Sequence, residues 1–149
     1  MKLADFITAD SVLADVDAAS KLEVLQLMSA RASELSGLAA DAILGALQKR
    51  ESLGSTGIGQ GIAIPHTRIG GLAKPIGLLA KLKNPIDFES IDDMPIDVVF
   101  VLLTPDEEPN KHLGVLALFA RKLRSPRVLD AIRAANDAPS LYARFVAEP

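Results

Sequence analysis

Sixteen residues, Gly54 to Ile69 (GSTGIGQGIAIPHTRI), constrain the fold more than any other stretch of the chain. Four glycines (Gly54, Gly57, Gly59, Gly61) allow tight turns and close backbone approach. They lead into Ile62-Ala63-Ile64, which fits a short buried strand. Pro65 keeps Ile64 extended and has no amide hydrogen for a ladder, so the run stops there and His66 emerges at a strand end. Strand ends on a rigid scaffold are where binding and catalytic groups concentrate. The other reading of His66 is a partly buried turn residue.

The rest of the chain supplies the scaffold. Ser11 to Val16 alternates as a strand with one face toward a core. Ser20 to Glu23 has capping-box spacing, Leu25, Met28, Ala32 and Leu35 follow at helical intervals, and Gly37 ends that helix. A second helix is predicted from about Ala40 to Glu51, burying Ile43 and Leu47. Its last turn holds Arg50, where a cation complements the helix dipole, so simple capping is one reading of that residue.

Ile76 to Leu82 reads as a strand broken by Asn84-Pro85. Asp97 to Leu103 (DVVFVLL) is the most apolar run and the candidate central strand, buried on both faces and ended by Thr104-Pro105. Asn110 is the expected N-cap of a long helix presenting Leu113, Leu116, Ala117, Ala120 and Leu123 on one face, with His112 in its first turn. Ser125-Pro126 opens another helix, and Asp137 with Pro139 opens a last one holding Leu141, Phe145 and Val146. Arg121, Lys122, Arg124 and Arg127 read as a solvated helical face. The alternation of strands and helices predicts α/β, a small mixed β-sheet flanked by helices on both faces, in a single domain spanning residues 1–149. A domain of this size buries roughly 70% of the surface its unfolded chain exposes.

Composition narrows the chemistry. The formal net charge of −3, one Tyr, five Phe and no Trp leave neither the basic footprint nor the stacking platforms of a nucleic-acid binder. Without cysteine there is no disulfide and no thiolate metal site. Met1 to Asp10 carries acids where a signal peptide needs an apolar run, and no stretch approaches membrane-spanning length, so a cytoplasmic protein without membrane insertion is expected.

Gln60-Gly61 stands where a P-loop needs its lysine, and the glycines lead into a strand where a dinucleotide fingerprint would open a helix. Ser55 has no glycine two residues on, so it is no nucleophile elbow. The two histidines fall short of a zinc set unless the fold brings in Asp97 or Asp106. They suit a different task, accepting and stabilising a phosphoryl group. A neutral imidazole is nucleophilic near pH 7, and fixed donors and cations stabilise the transferred charge. Arg50, Thr56, the backbone amides near His66 and His112 are candidate donors, although His112 also reads as an ordinary first-turn residue.

Lys49 to Arg68 (KRESLGSTGIGQGIAIPHTR), Asp93 to Glu107 (DMPIDVVFVLLTPDE) and His112 to Leu123 (HLGVLALFARKL) together resemble the enzyme IIA domains of the bacterial phosphotransferase system (PTS), mannitol/fructose class. The resemblance spans nearly the whole chain and is nearest to the nitrogen-regulatory branch. It implies that His66 accepts a phosphoryl group, as a tele-phosphohistidine, from an HPr-like carrier of the NPr type. It also implies that Arg50, Thr56 and His112 surround the acceptor and that no metal or other cofactor takes part. The nitrogen branch binds regulatory target proteins in a phosphorylation-dependent way, whereas the sugar branch passes phosphate to a IIB domain. A module that keeps the fold without being phosphorylated is a further alternative, against which the intact Pro65-His66 pair argues.

Overall fold

The computed structural model describes residues 2–147. In chain order its elements are β1 (Val12–Val16), α1 (Lys21–Ser36), α2 (Ala40–Glu51), β2 (Gly57–Gly59), β3 (Ile62–Ala63), β4 (His66–Ile69), β5 (Ile76–Ile86), β6 (Ile96–Pro105), α3 (Pro109–Arg124), α4 (Pro126–Ala134) and α5 (Ala138–Val146). The sheet runs β1-β5-β6-β3-β2, with β4 also on β6. Strand β6 is the spine: antiparallel to β5, parallel to β3 and β4, and without an exposed residue along its length. The expected central strand and the mixed α/β architecture are both found.

Two apolar clusters sandwich the sheet. Helices α1 and α2 contribute Val24, Leu25, Met28, Ile43 and Leu47 to one. Helices α3, α4 and α5 contribute Val115, Phe119, Leu129, Ile132, Leu141 and Phe145 to the other. Strand β1 feeds both, with Val12 in the second cluster and Leu13 and Val16 against the first, so the expected one-sided burial is corrected to two-sided packing.

Local chemistry sets the helix ends. The Ser20 side chain accepts the Glu23 amide, Glu23 reaches back to the Ala19 amide at 2.7 Å, and Gly37 closes α1 in the left-handed conformation. Asp137 caps α5 by accepting the Ser140 amide at 2.8 Å. Leu35, expected on the buried face of α1, is exposed.

Four further expectations need correction. Strand β5 continues through Asn84-Pro85 to Ile86, because the pairing with β6 shifts register between Lys81 and Ile86 and so asks no ladder bond of the proline. Helix α3 takes Glu108 as N-cap and Pro109 at its first position, which places Asn110 inside the helix. Its buried face is His112, Val115, Phe119 and Leu123, rotated from the predicted stripe, and Leu113 is 64% exposed. His66, moreover, begins a strand. Ile62 and Ala63 pair with Val98 and Val99, and His66 and Thr67 with Leu102 and Leu103, at one constant offset. Strands β3 and β4 are therefore one strand along β6, interrupted at Ile64-Pro65.

Gly77, inside β5, is a packing glycine. A β-carbon there would lie 2.6 Å from Cζ of Phe100, whose ring is stacked at 4.1 Å on Phe119. Gly77→Ala is expected to cost about 1–3 kcal/mol by overpacking. A thermal melt checks it, at roughly 2–4 °C per kcal/mol for a domain of this size. An unchanged melting temperature would contradict the packing described.

Candidate functional site

The interruption at Ile64-Pro65 sets His66. Across Pro65, the Ile64 carbonyl accepts from Nδ1 of His66 at 2.7 Å. A carbonyl only accepts, so Nδ1 carries the proton and Nε2 of the neutral ring keeps its lone pair. Arg50, in the last turn of α2, donates Nε–H to that Nε2 at 3.4 Å and Nη1–H to the Gly54 carbonyl at 3.0 Å. The guanidinium thus ties down the chain just beyond α2, where no last-turn carbonyl of the helix is involved, and faces the imidazole.

His112, 8% exposed, sits in the first turn of α3. Its ring centroid is 5.6 Å from that of His66, and its Nδ1 lies 2.5 Å from the hydroxyl of fully buried Thr104 at the end of β6. The two histidines open into a cleft of about 670 Å³ lined also by Lys49, Arg50, Leu53, Thr67, Arg68, Asp106, Pro109 and Leu113. Three basic side chains face one acid there, a balance that suits an anion.

Thr56 is placed differently from expectation. It is buried, does not line the cleft, and its hydroxyl and its amide (3.1 Å) both go to the carboxylate of Glu51. Its carbonyl accepts the Ile64 amide at 3.0 Å, so Thr56 supports the segment that orients His66 instead of donating into the cleft. Gly57 follows under a steric demand: a β-carbon there would lie 2.6 Å from Cβ and 2.8 Å from Cα of Ser90.

Glu51, Thr104, Lys49 and Arg68 are the residues that sequence reasoning missed at this site, and Asp106, weighed only as a metal ligand, lines the cleft with both histidines. Arg68 had a signal, since two residues beyond His66 on a strand shares its face. Asp97, weighed as a metal ligand, is instead paired with Arg133 at 2.9 Å. Among the described residues no group of three or more His, Asp or Glu converges as a metal site requires. No helix there is long and apolar enough to cross a membrane.

The model of the phosphoenolpyruvate-dependent sugar phosphotransferase system EIIA 2 family matches residues 5–147. The chain belongs to this family. A nitrogen regulatory protein of Bradyrhizobium diazoefficiens is 40% identical over 149 residues, covering 100% of this chain and 97% of that protein. A nitrogen regulatory protein of Pseudomonas aeruginosa is 40% identical over 143 residues, covering 95% and 93%. The crystal structure of the nitrogen regulatory protein IIA-Ntr from Neisseria meningitidis superposes with a TM-score of 0.90 at 27% identity, covering 96% of this chain and 98% of that one. Within the EIIA family, then, this chain is similar to nitrogen regulatory proteins, which supports a regulatory PTS role.

Both histidines of this EIIA chain hold their protons weakly. Burial pushes His66 below its ordinary 6.5, Arg50 pushes it the same way, and the Ile64 hydrogen bond and Glu51 oppose them. Burial, then the His66 and Arg68 charges, push His112 down. The unfolded chain therefore protonates first as pH falls. Stability from these groups is complete above 6.5 and is lost as pH drops toward the lowered folded values. Urea unfolding should show a lower midpoint at about pH 5.5 than at about pH 7.5, and a smaller difference for a His66→Gln/His112→Gln protein. Equal pH dependence in the two proteins would contradict the assignment.

Proposed function

We propose that this EIIA domain is a phosphohistidine carrier with a regulatory role: Nε2 of His66 accepts a phosphoryl group from the phosphohistidine of an HPr-like carrier. The observation that carries the reading is the pair of contacts on one ring, Nδ1–H held by Ile64 and Nε2 met by Arg50. The N–P bond of the donor breaks as the bond from His66 Nε2 to phosphorus forms, and the donor imidazole leaves with its electron pair. The depressed proton affinity of His66 keeps it neutral, and so nucleophilic, near pH 7.

Charge spreads over three phosphoryl oxygens in the transition state, so preorganised donors supply much of the catalysis. Arg50 is the first. His112 is the second: the tautomer in which the Thr104 hydroxyl donates to Nδ1 leaves the ring proton on Nε2, available to an oxygen in the cleft. The balance of three cations to one acid holds the product.

Leu53 and Leu113, 81% and 64% exposed, flank the same cleft. An apolar rim around a group that gains negative charge is a phosphorylation-sensitive docking surface, because the added charge must be desolvated against the partner. The relatives named nitrogen regulatory proteins favour target binding as the readout. The mannitol IIA of Escherichia coli, solved in complex with phosphorylated enzyme IIB, is the precedent for the sugar-transport reading; at 16% identity it shares the fold alone.

The test is phosphate arrival from a phosphorylated HPr-like carrier. Acid-labile label should reach wild type and be absent from His66→Ala. Arg50→Ala should slow transfer about 10- to 1000-fold, as for a lost charged donor at a transition state. Arg50→Lys should rescue poorly, since an ammonium cannot make the planar two-point contact. Label on His112 in His66→Ala, or unchanged rates in both Arg50 variants, would overturn the roles given.

A further inference from the structure

Lys21 opens α1 and Glu51 closes α2, and their side chains meet with Nζ 2.9 Å from Oε1 at 19% and 6% exposure. The ammonium also lies 3.7 Å from the exposed Glu89 carboxylate and 4.7 Å from the centroid of the Phe88 ring. The Glu51 carboxylate receives the amide and hydroxyl of Thr56, the Thr56 carbonyl receives the Ile64 amide, and the Ile64 carbonyl receives Nδ1–H of His66. Arg50, adjacent to Glu51 in sequence, meets Nε2 of the same ring. Both nitrogens of His66 thus trace back to one turn of α2, and Lys21 is the cation that neutralises the acid in that turn.

We propose that Lys21 and Glu51 are a positioning pair for the acceptor histidine. Lys21 occupies the Glu51 carboxylate, keeping it on Thr56 and away from Arg50, so that the guanidinium stays on Nε2 of His66. A nearly buried carboxylate left without its ion partner is costly and recruits the nearest mobile cation. Arg50 and Glu51 both act on the His66 ring, and a guanidinium gains far more from a two-point carboxylate contact than from a neutral nitrogen at 3.4 Å. Without Lys21, Arg50 turns back to Glu51 and the cleft loses its central donor.

The transfer-rate consequence rests on the proposed role of His66 as acceptor; the ring environment does not. The charged and titratable groups facing His66 are Lys49, Arg50 and Glu51 from α2, Arg68 on β4, Asp106 after β6 and His112 on α3. A Lys21 substitution changes the placement of only Arg50 and Glu51 among them.

The test uses the full chain as wild type, Lys21→Met, Glu51→Gln and the double variant. Readouts are a thermal melt, the His66 titration by NMR and the rate of phosphate arrival from the carrier. In Lys21→Met, His66 should titrate higher than in wild type, because Arg50 has left its Nε2 for Glu51 and no longer lowers it, and transfer should slow about 10-fold or more. In Glu51→Gln, His66 should titrate lower, having lost the anion that raises it, with a smaller loss of rate. The double variant should transfer faster than Lys21→Met, since no free carboxylate competes for Arg50. A packing role alone gives no opposite titration shifts and no rescue.

An unmoved His66 titration in Lys21→Met, or a double variant no faster than Lys21→Met, would overturn the proposal. Should Lys21→Met not fold, an upward or absent shift in Glu51→Gln would overturn it equally. Wild type taking no phosphate at all would refute the carrier function, and the titrations would still decide the positioning role.

Discussion

One hydrogen bond organises the site: Nδ1–H of His66 to the carbonyl of Ile64, at 2.7 Å. It exists because a strand is interrupted. β6 holds Ala63 and His66 in a common register three residues apart, while Pro65 between them gives its carbonyl to the Leu102 amide and offers no amide hydrogen of its own. The Ile64 carbonyl, on the far side of the proline, accepts the ring proton of His66 Nδ1. A buried spine strand thus fixes the tautomer and orientation of a half-buried side chain at its edge.

Electrostatics complete what the tautomer begins. Desolvation keeps the imidazole neutral, and a neutral ring with Nδ1 occupied has a single lone pair, on Nε2. The cations around it are poorly suited to an empty cleft, where Arg50, Lys49 and Arg68 repel one another, and well suited to one that holds an anion. Stability and the proposed function pull apart here, as expected of a site arranged for charge that arrives later. On the proposed function, the same arrangement would make phosphorylation a switch without refolding, since the charge would arrive between exposed Leu53 and Leu113.

Much of this was legible in the sequence because it depends on local chemistry. Ser20, Gly37 and Asp137 set helix ends through bonds within a few residues, and the apolar run Asp97 to Leu103 is the best candidate in the chain for a strand buried on both faces. His66, Arg50 and His112 were singled out, and the structure brings all three to one cleft. What was not legible depends on partners distant in sequence. Whether a strand resumes after Pro65 depends on the offset to β6, and whether Pro85 breaks β5 depends on a register shift against the same strand. Leu113 was read as buried because it is apolar, but His112 takes the inward position, held by Thr104. Thr56 was assigned to the cleft because no sequence pattern shows that Glu51 claims its hydroxyl.

The central claim is that His66 accepts the phosphoryl group on Nε2. Long-range proton–nitrogen correlation spectra of the uniformly ¹⁵N-labelled phosphoprotein, read beside the phosphorus coupling, identify the substituted nitrogen. The account predicts phosphorus on Nε2 of His66, with Nδ1 still protonated and donating to Ile64. Phosphorus on Nδ1 of His66, or on either nitrogen of His112, would contradict it.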